Sequence, residues 1–424
     1  RGTTFIKANS NTNNIAIGTE AGENAQRTLA TAVGRQAGST NQGNSAVAVG
    51  NQAGQTSQGA SSVAIGVLSG CGDQGTNSVG IGNAAGRTTQ GTHSVAVGYQ
   101  AGETGQNNFA VAIGSNAGCR AQDGTVAIGT NAGRDGQGGS SVAIGPSAGC
   151  ASQGTNAVAI GDDAGLIGQN NYSIAIGTNA GCRAQDGAVA IGNNAGREEQ
   201  GDSSVAIGPS AGCASQGTTS VAIGDAAGQT SQNNNAVAVG INAGNNAQGA
   251  QGIAVGNAAG KTSQGASTVA IGQEAGRVSQ NNYAVSVGRE AGCNAQGEFA
   301  VSVGYQAGEV AQADSGVAIG VNAGRNLQGV AATAVGYAAG QNAQTTKATA
   351  LGREAGMNAQ GESAVAVGDE AAHTGQNNYS VAIGYQAGSI AQGISAIAIG
   401  NQAGQVSQNL NCIAIGTLAG ENAQ

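Results

Sequence analysis

The sequence predicts an all-β fold, a parallel β-solenoid (β-roll) of 26 coils of about 16 residues each. Three observations carry this. A glycine preceded by an aliphatic residue recurs every 16 residues from Gly18 to Gly416, and only the steps Gly114 to Gly129 and Gly177 to Gly192 are 15. The residues leading into that glycine alternate as a strand does. The second half of every repeat is as constrained as the first. The array is read as residues 11–424, after a non-repeat segment 1–10.

Positions are numbered from the recurring glycine as zero. Position −1 is Ile, Val or Leu in all 26 repeats, and position −3 is Val or Ile except at Thr31, Thr333 and Thr349. A small residue, nearly always Ala, separates them. This period-2 pattern of branched residues reads as a short strand. The two bulky residues are expected to face inward, with Val142 and Ile144 buried and the Ala between them on the opposite side. Helix is disfavoured, because two glycines per repeat each cost about 1 kcal/mol relative to Ala.

Position +3 is Ala except at Ser69, and +4 is Gly except at Ala372. The glycines suit corners with positive φ or close backbone approach. The Ala suits an inward site with no room for more. Two short strands per coil joined by glycine corners are expected.

Position +8 is Gln in every repeat. Equivalent residues of stacked coils lie about 4.8 Å apart, so identical amides can bond along the stack. A structural Gln ladder is therefore expected through Gln58, Gln90, Gln122, Gln153, Gln185, Gln216, Gln248, Gln264, Gln296, Gln328, Gln360 and Gln392. A residue repeated this way is not a catalytic group.

Composition narrows the function. Aromatics are 2% and Trp is absent, so the core is thin and Val, Ile and Ala are expected to fill it. Glycine at 77 of 424 residues resembles a disordered composition, but a fixed aliphatic register argues against disorder. Charged residues are 9%, the net charge is −8, and no basic patch points to nucleic acid. No apolar run is long enough to span a membrane. No signal peptide is legible at Arg1-Gly2-Thr3, and both ends read as cuts. Catalytic, cofactor and metal sites are not expected. His93 and His373, the only histidines, lie far apart in the array.

Six of the seven Cys share position +5: Cys71, Cys119, Cys150, Cys182, Cys213 and Cys293. The nearest of them are two coils apart, roughly 9–10 Å, beyond the ~7 Å that a disulfide spans. They read as small corner residues or as contacts between chains. Residues 115–177 and 178–240 are near copies, each opening with a 15-residue coil. The missing residue is placed between the Gln and the strand, at Asp123-Gly124 and Asp186-Gly187. Nine of the ten aromatics occupy two registers. Phe109, Tyr172, Tyr283, Phe299 and Tyr379 lie at −5, and Tyr99, Tyr305, Tyr337 and Tyr385 lie at +1. These aromatics read as side chains that cover a corner or pack between protomers, or as contacts for a host-surface protein or a glycan, and the four +1 tyrosines are the candidate exposed contact residues.

The stretch NSVGIG at 77–82, and SVAIG at 62–66, 141–145, 204–208, 220–224 and 380–384, resembles the YadA-like head repeats of trimeric autotransporter adhesins. Similar G-x-x-A-G coils resemble fibre proteins of large viruses and phages. The resemblance covers almost the whole chain. It departs in coil length, with 16 residues and a fixed Gln where the family head usually runs about 14, and no neck, stalk or anchor is seen. It implies a left-handed β-roll, a parallel homotrimer and attachment at an extracellular, cell or virion surface. A non-enzymatic structural fibre or adhesin is the leading expectation, a stack on the order of 125 Å long. A purely architectural filament subunit is one alternative. Ice binding is another, and it needs aligned Thr. Position +6 holds Thr56, Thr88, Thr104, Thr230, Thr262 and Thr374, but with interruptions. A β-helical polysaccharide enzyme needs wider coils and clustered carboxylates, which no register supplies.

Overall fold

A computed structural model of the chain describes residues 6–9 and 12–422. The boundary between the non-repeat segment and the array, and the last glutamine, Gln424, lie outside the described residues. The described chain is all-β and forms two compact units, residues 1–214 and 215–424. Each is a parallel β-solenoid with one coil per repeat.

In the first unit, thirteen three- or four-residue strands, from Asn14–Ile17 to Val205–Ile207, pair in parallel with strict register. Val111 sits opposite Val126 and Ile113 opposite Ile128, so the 15-residue step leaves this ladder intact. At its start, Ile6–Asn9 pairs antiparallel with Asn14–Ile17. The second unit has thirteen such strands, from Val221–Ile223 to Ile413–Ile415. Its second strands form one continuous parallel sheet from Thr230–Gln232 to Ile390–Gln392. In the first unit the second strands are interrupted, with pairs such as Asp73–Gln74 with Thr89–Gln90 and isolated bridges between them.

The strand alternation is present, but its parity is the reverse of expectation. The residue at −2 is buried in every coil, whereas none of the −3 and −1 side chains is buried. Ala143 is fully buried, and Val142 and Ile144 on either side of it are half-buried. The cause is the width of the coil. Across the interior, Ala(−2) meets Ala(+3), Gly(+4) and the Gln amide. A Cβ built on Gly324 would lie 2.8 Å from Gln328 Cδ, and one on Gly196 would lie 3.2 Å from Ala190 Cβ. A Val or Ile directed into that space has no room. The core is therefore Ala and Gln, with Ser, Ala or Thr at −4 in most coils, and not the branched aliphatics.

The recurring glycine has a separate reason. Its φ is +121 to +134°, and a Cβ on Gly34 would approach Gly50 O of the next coil to 2.5 Å. Both the backbone conformation and the coil spacing exclude a side chain there. Other corners use left-handed residues that are not glycine, at −5 and +2 in nearly every coil, as at Ser45 and Gln52.

Candidate functional site

The outward face of the first strands is the most extensive unusual surface in each unit. The −3 and −1 side chains leave the strand on one side and stack in register, coil over coil, as two parallel columns of Val and Ile. Ile113 and Ile319 are each 39% exposed. Together the columns form a half-exposed apolar strip that runs the length of each unit, and a contiguous exposed apolar patch of this kind marks an association surface. Sequence reasoning missed this ribbon because alternation alone does not say which parity is inside. The usable signal was the near-invariant Ala at −2 and +3. Only the smallest side chain is kept where space is fixed.

The glutamines occupy the opposite end of the polarity scale inside the coil. Gln58, Gln90, Gln153, Gln216, Gln248, Gln264, Gln296, Gln328, Gln360 and Gln392 are buried. Amide Nε2 groups donate to −3 carbonyls of the same coil, as Gln264 does to Ile253 O at 3.0 Å and Gln360 to Thr349 O at 2.7 Å. From Gln264 to Gln408 each Nε2 also donates to the next Oε1, at 2.8–3.3 Å. In the first unit the amide-to-amide bonds come in short runs, such as Gln74 to Gln90 to Gln106.

Gln122 and Gln185 do not belong to the ladder. Both are exposed, and Ala121 and Ala184 take the buried places. The bridges Ala121 to Gln137 and Ala184 to Gln200 confirm the shift. The shortened coil therefore loses its residue at the corner before the Gln, next to Cys119-Arg120 and Cys182-Arg183, and not after it at Asp123-Gly124 and Asp186-Gly187. Closing that corner moves every following side chain by one place until the strand. Gln137 and Gln200, which follow the two alanines, have buried Oε1 atoms without a hydrogen-bond partner.

The +1 tyrosines Tyr99, Tyr305, Tyr337 and Tyr385 are all exposed, and Arg289 lies over the Tyr305 ring at 5.6 Å. They are never in adjacent coils, and the residue between Tyr305 and Tyr337 in this register is Val321. The +6 threonines lie on the surface. Thr56 and Thr88 spend their hydroxyls on the carbonyls of Cys71 and Glu103 in the next coil, which leaves the broken Thr column without a free hydroxyl there. All seven cysteines are free, and burial pushes the six +5 thiols up from the ordinary value. Charged groups pair locally on the surface. Arg353 reaches Glu354, Asp369 and Glu370, and the bond from Gln386 holds the Glu370 carboxyl below its usual range, with Arg353 adding to it.

Among the described residues no group of three or more His, Cys, Asp or Glu is placed to hold a metal ion, and no helix is long and apolar enough to cross a membrane. No known protein-family model matches the chain, and no curated protein is significantly similar to it.

Proposed function

We propose that the chain is a non-enzymatic fibre or adhesin segment that associates laterally with further copies of itself and serves attachment at an extracellular, cell or virion surface. The observation that carries this reading is the double column of half-exposed Val and Ile along each unit. A monomer in water has no use for so long an apolar ribbon. A second and third copy bring the same ribbon at the same spacing, so one set of contacts repeats at every level. Three copies are the number implied by the likeness to YadA-like heads. Any contact the outer corners make is then presented several times, and weak contacts add by multivalency. The remaining surface supports the same reading, since its polar, Gly- and Asn-rich corners vary freely while the ribbon does not.

Light scattering on the purified chain tests it. The native chain should scatter as a discrete oligomer, and a variant with Val142, Ile144, Val158 and Ile160 all changed to Ser should shift towards monomer with its β content retained. A native chain that stays monomeric at high concentration would sink the proposal.

A further inference from the structure

The −5 corner carries a column of outward side chains, one per coil. Where neighbours in it are aromatic they stack. His93 and Phe109 lie with ring centroids 5.2 Å apart and planes within 8°, and Tyr283 and Phe299 lie 5.0 Å apart and within 2°. These separations match the coil-to-coil rise of about 4.8 Å. Each ring is thus presented flat to the next level of the stack.

Two levels of this column break the pattern in the same way. Gly124 and Gly187 are the only glycines at −5, each belongs to a 15-residue coil, and each directly follows an aromatic, Phe109 or Tyr172. Phe109 and Tyr172 are 63% and 66% exposed, the highest values for aromatic residues among those described. The space beneath them is open. A Cβ on Gly124 would meet nothing nearer than Ser140 Oγ at 3.5 Å, and one on Gly187 nothing nearer than Ser203 Oγ at 3.6 Å. The same coils set a carboxylate beside the gap. Asp123 Oδ1 accepts the Asn108 N–H at 3.0 Å, and Asp186 Oδ1 accepts the Asn171 N–H at 3.1 Å. The register shift that expels Gln122 and Gln185 from the core adds an exposed amide next to each carboxylate.

We infer that these two notches are sugar-binding sites, each taking one pyranose ring of a glycan. The ring would continue the aromatic column, lying on the face of Phe109 or Tyr172 at the level where glycine provides no side chain. The chemistry fits a pyranose on both sides. Its C–H face is weakly positive and matches the negative face of an aromatic ring. Its hydroxyls radiate in the ring plane, where Asp123 or Asp186 accepts their hydrogen bonds and the amide of Gln122 or Gln185 can exchange them. A few placed polar groups around an apolar platform is how small-molecule sites set orientation. An aromatic side chain from a partner protein would fill the platform but leave the carboxylates unmatched. The inference deepens the attachment reading and rests on it for its purpose. It assigns the contact to Phe109 and Tyr172 and not to the +1 tyrosines.

The test is saturation-transfer NMR on the full chain with methyl glycosides of glucose, galactose, mannose, N-acetylglucosamine and N-acetylgalactosamine as probes. At least one should receive saturation, concentrated on the C–H protons of one ring face. The signal should vanish in Phe109→Ala/Tyr172→Ala. It should also vanish in Gly124→Asn/Gly187→Asn, which fills the notch with a residue that Asn77 and Asn156 show is accepted at this corner. It should persist in Tyr283→Ala/Phe299→Ala. No transfer from the native chain to any probe would overturn the inference, as would transfer that survives the Asn substitutions. Light scattering reads the other proposal separately. A chain that oligomerises without binding sugar loses the notches and keeps lateral association, whereas one that binds sugar as a monomer does the reverse.

Discussion

Ser69 donates a hydrogen bond to the carbonyl oxygen of Gly80, 2.8 Å away in the next coil. These are two exceptions facing one another. Ser69 is the one residue at +3 that is not Ala, and Gly80 is the one glycine at −2. A Cβ on Gly80 would lie 2.8 Å from Ser69 Oγ, so the extra oxygen on one side is accommodated by the missing methyl on the other. The core is tight enough that a single atom has to be balanced across it.

The pair should therefore be strongly coupled. Gly80→Ala alone should cost about 1–3 kcal/mol by overpacking. Ser69→Ala alone should cost about 1 kcal/mol for the lost hydrogen bond. Combined, the two restore the consensus Ala–Ala contact, and the penalty of the first should largely disappear. Amide exchange in the flanking coils gives the local stability of all four forms. Additive effects, within the ~0.5 kcal/mol expected of independent sites, would contradict the coupling.

The inverted strand makes a second prediction that opposes ordinary core logic. Enlarging a small buried residue should harm more than shrinking a large aliphatic one. Ala143→Val pushes two methyls against the opposite wall and should cost about 1–3 kcal/mol or more. Val142→Ala removes half-exposed atoms and should cost under about 1 kcal/mol in the isolated chain. Thermal unfolding of the two variants at equal concentration decides the order. The reverse order would place the branched residues in the core after all.

The period, the strand positions, the corner glycines and the amide column were legible because each repeats 26 times, and repetition exposes whatever geometry forbids to change. Parity was not legible, since alternation defines two faces without naming the inner one. The expectation that Val142 and Ile144 are inside followed from hydrophobicity. Volume decides otherwise, because Ala143, Ala148 and the Gln153 amide already fill the coil. The exposed Gln122 was hidden for a different reason. The 15-residue glycine step counts residues, but only the three-dimensional register tells which corner closed, and the repeated Gln stayed at +8 while its place in the core passed to Ala121.

Two glutamines that are identical by register should thus behave differently. Gln328→Ala in mid-ladder removes the donor to Val317 O and Gln344 Oε1 and the acceptor for Gln312, leaving buried groups unpaired. It should cost roughly 1–3 kcal/mol. Gln122→Ala changes an exposed side chain whose bond is to the Gly139 N–H, and should stay within about 0.5 kcal/mol. Amide exchange in the neighbouring coils is the measurement. Equal effects at the two sites would mean that the amide column contributes nothing beyond shape.

The cysteine column gives a prediction with a defined sign in pH. Burial raises the Cys293 thiol, and its side chain is almost wholly covered, while Arg277 nearby works weakly the other way. Cys150 is raised by burial in the same manner against Arg134. The folded chain therefore holds these protons over a pH range in which the unfolded chain has released them. Stability should be fully present below the thiol range of the unfolded chain and should fall as the pH rises through the folded range. Reactivity follows from the same cause, because the thiolate is the nucleophile. Iodoacetamide should modify Cys150 and Cys293 slowly near neutral pH, and the half-rise of the rate should lie at higher pH than in the chain unfolded by urea. Peptide mass spectrometry of time-quenched samples reads each site separately. Modification of Cys293 in the folded chain as fast as in the unfolded one would show that the corner opens readily, and the stacked coil would then be far looser than its packing implies.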